Sequence, residues 1–173
     1  MFVVKIQRVI QIPYEMMLTE EIKGFVKKTK LGFVATVCPD GTPNLSPKGT
    51  TTAWDDDHLV FADIHSPGTV ENLLTNPSIE INVVDVFVRK GYRFKGTAKV
   101  LTGGTLFQDI IASYGDAAKK YTIKRIVLVK VDRVIPINSP IYDTDTTEEE
   151  VKERWRGYWK SVHGGERKVS GKQ

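Results

Sequence analysis

The spacing of apolar positions changes repeatedly along this chain, and each change marks an element. Val3 to Ile12 is apolar but interrupted by Lys5, Gln7 and Arg8, which suits a short strand or arm ended by Pro13. Thr19 supplies an N-cap for a helix from Glu20 to about Lys28. Glu20 and Glu21 suit the positive end of that helix, Lys27 and Lys28 the negative end, and Ile22, Phe25 and Val26 form its apolar stripe. From Gly32 to Val37 the pattern reads as a strand, and Asp40-Gly41 signals a tight turn. Asn44 to Trp54 reads as the next strand, Asp55-Asp56-Asp57 as a polar turn, and Leu59 to Asp63 as the third strand of an antiparallel meander.

A short helix follows over about Thr69 to Leu74, then strands over Ser78 to Arg89 and Tyr92 to Leu101. Gly103-Gly104 breaks the chain before a helix from about Thr105 to Lys119, and Arg125 to Ile135 is the last strand. Pro136 to Thr147 is a loop. Thr147 caps a helix to His163 that carries Val151, Trp155, Tyr158, Trp159 and Val162 on one side. This pattern is mainly β with inserted helices. It lacks the regular strand–helix alternation of a doubly wound sheet, and closing six antiparallel strands into a small barrel removes their exposed edges. The expectation is one domain over 1–173: a barrel over 19–135, a loop and helix over 136–163, and a disordered tail over 164–173.

Composition narrows the classes. Apolar residues make up 40% of the chain and charged residues 27%, as in an ordinary globular protein. The net charge of +4 comes in good part from the C-terminal segment, at Arg154, Arg156, Lys160, Arg167, Lys168 and Lys172, which reads as a solvated terminus rather than a nucleic-acid patch. The strands lack the interleaved aromatic and basic residues of a nucleic-acid groove, so no nucleic-acid partner is expected. No apolar run approaches the roughly 20 residues of a membrane helix, so no membrane partner is expected either. Cys38 is the single cysteine, which excludes a disulfide framework within one chain and suits a reducing cytoplasm.

Few motifs carry chemistry. His58, His65 and His163 lack metal-ligand spacing, so no metal site is expected. There is no Gly-x-Ser-x-Gly elbow, Walker loop or dinucleotide fingerprint. What remains is Asn44-Leu45-Ser46-Pro47-Lys48-Gly49-Thr50, followed by a second strand and by Ser66-Pro67-Gly68-Thr69-Val70-Glu71-Asn72 at a helix start. Lys48 either faces solvent on its strand or meets an anion. Ser66 and Thr69 either cap the helix or join its free N–H groups in holding that anion. Asn72 lies one turn further along the same face.

The ordered set Asp40-Gly41-Thr42-Pro43, Ser46-Pro47-Lys48-Gly49, Leu59 to Asp63, Asn72-Leu73-x-x-Asn76-Pro77 and Arg93 to Val100 resembles the FMN-binding split-barrel family typified by pyridoxamine 5′-phosphate oxidase. The resemblance runs from Gly32 to about Val131. It implies a six-stranded split barrel, a homodimer with flavin mononucleotide (FMN) at the subunit interface, and flavin-dependent oxidoreductase activity on a small-molecule substrate or electron donor. It places Lys48 at the FMN phosphate, with Ser46 and Pro47 on the same strand, and runs Gly49 and Thr50 along the flavin ring. Ala62, Asp63 and Ile64 fall beside the ribityl chain and ring. Ser66, Thr69 and Asn72 match the phosphate and ribityl hydroxyls, and Gly91 and Tyr92 the strand from the other subunit.

The oxidase proper carries a Ser-Arg-Lys triplet where this chain has Pro67-Gly68-Thr69, so two cations are missing, and FMN would lean more on Lys48, backbone amides and hydroxyls, or on a cation elsewhere such as Arg93. The arginine-rich C-terminal substrate signature is missing too, which argues against pyridoxamine phosphate as substrate. The implied alternatives are a non-enzymatic flavin carrier or electron-transfer protein, or a split barrel using another cofactor such as F420 or heme. No catalytic acid or base stands out. Trp155 and Trp159 either pack the last helix or cover the flavin across the dimer.

Overall fold

The computed structural model describes residues 17–164. The expected arm over Val3 to Ile12 and the tail beyond Gly164 lie outside them. The chain order is α1 (Glu20–Thr29), β1 (Gly32–Val37), β2 (Pro43–Lys48), β3 (Thr52–Ala53), β4 (His58–Asp63), α2 (Pro67–Thr75), β5 (Ser78–Asp85), β6 (Lys90–Leu101), α3 (Thr105–Ser113), α4 (Asp116–Lys119), β7 (Arg125–Asn138), a 3-10 turn (Pro140–Asp143) and α5 (Glu148–His163).

All strand pairs are antiparallel, and the order across the sheet is β2-β1-β5-β6-β7-β4-β3. The two edge strands, β2 and β3, are joined by only Gly49, Thr50 and Thr51. A link that short forces the two edges together, so the sheet curls into a barrel left open at one seam. This is the split barrel. Among the described residues it has seven strands rather than the expected six, because the strand read over Asn44 to Trp54 is cut at Gly49–Thr51 and its halves take opposite edges. The expected three-strand meander is likewise replaced: β1 pairs with β2 and β5, while β4 pairs with β3 and β7.

Local chemistry sets the other boundaries. Thr19 Oγ1 accepts the Ile22 N–H at the start of α1, as its sequence position predicts. Strand β5 stops at Asp85, whose carboxylate accepts the N–H groups of Phe87 and Val88 and folds the hairpin into β6. The helix expected from Thr105 to Lys119 breaks near Gly115, where φ is +55°, a conformation glycine adopts without strain. Strand β7 runs on to Asn138, inside the expected loop. The cap of α5 is reciprocal: Glu150 N–H meets Thr147 Oγ1, and Thr147 N–H meets the Glu150 carboxylate.

The barrel interior packs Val34, Ile81, Phe94, Val129 and Phe61 against Leu18, Ile22 and Val26 at α1. A second cluster joins Val60, Ala62, Leu101 and Ile126 to Phe107 and Ile110 of α3. Strand β4 therefore feeds both clusters, with Leu59 and Phe61 on one face and Val60 and Ala62 on the other. This explains why it reads as a continuous apolar run. Among the described residues, no helix is long and apolar enough to cross a membrane.

Candidate functional site

Alternation along β2 points Asn44, Ser46 and Lys48 inward and leaves Pro43, Leu45 and Pro47 exposed. The inward row meets the first turn of α2. Lys48 is only 4% exposed, yet its ammonium is held by hydroxyls alone: Nζ donates to Ser46 Oγ and to Ser66 Oγ, the latter at 2.7 Å. Lys48 makes no ion pair among the described residues. Burial pushes its pKa below the ordinary lysine value of 10.5, and the charge of Asp63 partly opposes that shift.

Asp63 ends β4 and is 3% exposed. Its Oδ1 accepts the Ser66 N–H at 3.0 Å and its Oδ2 accepts Arg125 Nε at 2.9 Å. Ser66 thus touches Asp63 through its backbone and Lys48 through its side chain. Its hydroxyl makes no helix cap, and Pro67 occupies the first turn, so the start of α2 lacks a side-chain cap. A buried cation without a carboxylate partner, beside an uncapped helix start, is an arrangement that favours an anion.

The other residues named from sequence divide into groups. Thr69 and Asn72 are buried and bind the protein itself. Asn72 Nδ2 donates to Thr36 Oγ1 at 3.0 Å and also lies 3.5 Å from Cys38 Sγ; Asn44 Nδ2 reaches Thr36 and Thr69. Gly49 is exposed with open space above it. Thr50 accepts the Ala62 N–H at Oγ1, and its carbonyl accepts the Tyr114 hydroxyl at 3.1 Å. Burial pushes the Tyr114 hydroxyl well above its ordinary pKa of 10.0. Ile64 packs against the α3 cluster.

Gly91 and Tyr92 lie elsewhere. Register runs Lys48, Gly32, Val83, Tyr92 across four neighbouring strands, which separates Lys48 from Tyr92 by roughly 14 Å within one chain. The Tyr92 hydroxyl donates to Glu21 at 3.3 Å, and its ring meets Phe25 edge-on. These residues line a cavity of about 290 Å³ together with Lys28, Lys90 and Lys152. Helix α5 borders the same cavity: Lys90 pairs with Glu148, and Arg89 stacks 4.1 Å over the Trp155 ring. Trp159 lies between Tyr158 and His163 of its own helix, and its indole N–H is buried without a hydrogen-bond partner among the described residues. Among the described residues, no hydrogen bond or ring contact joins either tryptophan to Lys48.

Arg93, the cation suggested from sequence, bonds Asn82 and pairs with Glu80 on the outer face of the sheet. The structure instead brings Arg125 beside Lys48's neighbour Asp63. Sequence could not single out Arg125, because its place depends on the pairing of Asp63 with Arg125 across β4 and β7. Sequence spacing also missed a group formed by Asp55, Asp57 and His58, whose ligand atoms lie within 4.8 Å of one another. Those groups already serve one another and Lys130.

Comparison with known proteins agrees with this fold. The residue profile of pyridoxamine 5′-phosphate oxidase matches residues 18–136. The crystal structure of HupZ from Group A Streptococcus is 31% identical, with a TM-score of 0.64 over 71% of this chain and 96% of that one. An FMN-binding protein from Syntrophomonas wolfei is 17% identical with a TM-score of 0.62 over 70% of this chain and 87% of its own. HutZ, the heme storage protein of Vibrio cholerae, is 22% identical with a TM-score of 0.55 over 69% and 94%. Among curated proteins, none matches this chain. The profile match across the whole barrel, together with the likeness to HupZ, places the chain in the pyridoxamine 5′-phosphate oxidase family.

Proposed function

We propose that this protein binds flavin mononucleotide and acts as a flavin-dependent oxidoreductase. The observation that carries the reading is Lys48: a buried ammonium held only by the Ser46 and Ser66 hydroxyls, beside the uncapped start of α2. That donor set fits a phosphate monoester, which would supply the charged partner that the ammonium lacks. Lys48 and Ser66 would hold the phosphate. The Gly49–Thr51 link, fixed by Tyr114 and Ala62, would lie along the ring. Bound flavin would supply the hydride or electron chemistry. The chain's own residues would bind and orient it and exclude water.

The reading includes a homodimer. Gly91 and Tyr92 are held apart from Lys48 in one chain, so a second copy would bring its cavity to the site. The outer face of β1 and β2 exposes Phe33, Val37 and Leu45 beside Pro43 and Pro47, an apolar surface suited to burial against that copy. With Glu148 and Lys152 lining the cavity, α5 would then stand near the partner's flavin. A carrier role without turnover, or a different cofactor such as F420 or heme, is the competing reading, and HutZ shares the fold.

The visible spectrum of freshly purified protein tests the cofactor. Oxidised-flavin bands are expected, either as isolated or after adding flavin mononucleotide. A heme Soret band, or protein that stays colourless after reconstitution, would count against it. Reduction of the bound flavin by NADH or NADPH separates the enzyme from the carrier.

A further inference from the structure

We propose that Arg125 is a positioning residue for this anion site: by occupying the Asp63 carboxylate, it keeps Lys48 available to the phosphate. The inference rests on the reading that Lys48 meets the phosphate of flavin mononucleotide. A buried ammonium and a buried carboxylate that are near neighbours ordinarily close into an ion pair, since each otherwise remains uncompensated. Here Asp63 is 3% exposed and Lys48 is 4% exposed, and the charge of Asp63 reaches Lys48. They nevertheless make no ion pair.

The hydrogen bonds explain why. Oδ1 of Asp63 is taken by the Ser66 N–H and Oδ2 by Arg125 Nε. Ser66 then places its own hydroxyl on Lys48. The result is a row of Arg125, Asp63, Ser66 and Lys48 in which the cation at one end satisfies the carboxylate. The ammonium at the other end stays uncompensated. The three charged side chains sum to +1, so the row keeps one positive charge for an anion. Without Arg125, Oδ2 of Asp63 would lose its partner, and Lys48 is the neighbouring cation able to replace it. An incoming phosphate would then compete with an internal carboxylate.

The test compares wild type, Lys48→Met, Arg125→Met and the double variant Arg125→Met/Asp63→Asn. Each is checked for cooperative thermal unfolding, then titrated with flavin mononucleotide and with riboflavin, which lacks the phosphate. Arg125→Met is expected to lose about tenfold or more in affinity for flavin mononucleotide, with riboflavin changed by less than about twofold. Adding Asp63→Asn removes the competing charge and is expected to restore most of the loss. Wild-type affinity in Arg125→Met, or a loss that Asp63→Asn does not restore, would overturn the proposal.

A second readout needs no ligand. The 13Cε shift of Lys48, titrated by NMR, should show a pKa about one unit or more higher in Arg125→Met than in wild type, and the rise should vanish in the double variant. An unmoved Lys48 titration would overturn the proposal even if flavin binds. Wild type that binds neither flavin would refute the flavin reading while the NMR result still decides the role of Arg125.

Discussion

Lys48 and Ser66 meet at 2.7 Å, Nζ donating to Oγ, and this contact ties the last residue of an edge strand to the residue that precedes α2. It joins two segments 18 residues apart in sequence at a buried positive charge that has no carboxylate partner among the described residues.

Replacing Lys48 with methionine should separate stability from binding. Removing an uncompensated buried charge should leave the ligand-free protein as stable or more so in urea unfolding. Affinity for flavin mononucleotide should fall by about 2–3 kcal/mol, roughly 30- to 150-fold, while riboflavin affinity stays near wild type. A parallel loss for both flavins would place Lys48 away from the phosphate.

Binding should depend on pH through the same residue. Its pKa lies below the ordinary 10.5, chiefly because burial disfavours the charge. Above the second phosphate ionisation, at about pH 6, affinity for flavin mononucleotide should be flat up to that lowered pKa and fall beyond it, earlier than an ordinary lysine would allow. Stability of the ligand-free protein should move the other way. Over the window from the lowered pKa up to 10.5 the unfolded chain holds the Lys48 proton more tightly, so stability rises with pH there. Lys48→Met should lack both trends, as calorimetric titration and urea unfolding across alkaline pH would record.

Tyr114→Phe removes the hydroxyl that donates to the Thr50 carbonyl. The expected cost is about 1 kcal/mol of stability. Amide hydrogen exchange should speed up at Thr51, in the link between β2 and β3, and at Ala62 of β4, whose N–H the Thr50 hydroxyl holds, more than in the α1 core. Uniform exchange across the barrel would contradict a local tether.

Gly91→Ala should be costly for a reason inside the sheet. A Cβ at Gly91 would stand 2.1 Å from the Val83 carbonyl oxygen. The expected loss is about 1–3 kcal/mol or more in urea unfolding, as the strand pair must separate to admit a methyl group. An alanine variant with an unchanged midpoint would show that β5 and β6 tolerate the shift.

Much of this was legible locally. Thr19 and Thr147 mark their helices because a cap needs only the next three residues. The strand from Gly32 to Val37 follows from its own alternation. Lys48 stood out by its place between a strand and a helix start. The sheet order was not legible, because the cut at Gly49–Thr51 sends two halves of an apparent strand to opposite edges, and no local signal records which edge each joins. The directions of Thr69 and Asn72 were also hidden: their polar side chains suit a ligand or a buried neighbour alike, and Thr36 and Asn44 supply the neighbours. Arg125 was invisible for the same reason, since its partner is 62 residues away.

The most direct measurement is calorimetric titration of the ligand-free protein with flavin mononucleotide and riboflavin side by side. The phosphate site proposed at Lys48 and the start of α2 predicts that flavin mononucleotide binds at least about tenfold more tightly than riboflavin. Equal affinity for the two, or no binding of either, would contradict it.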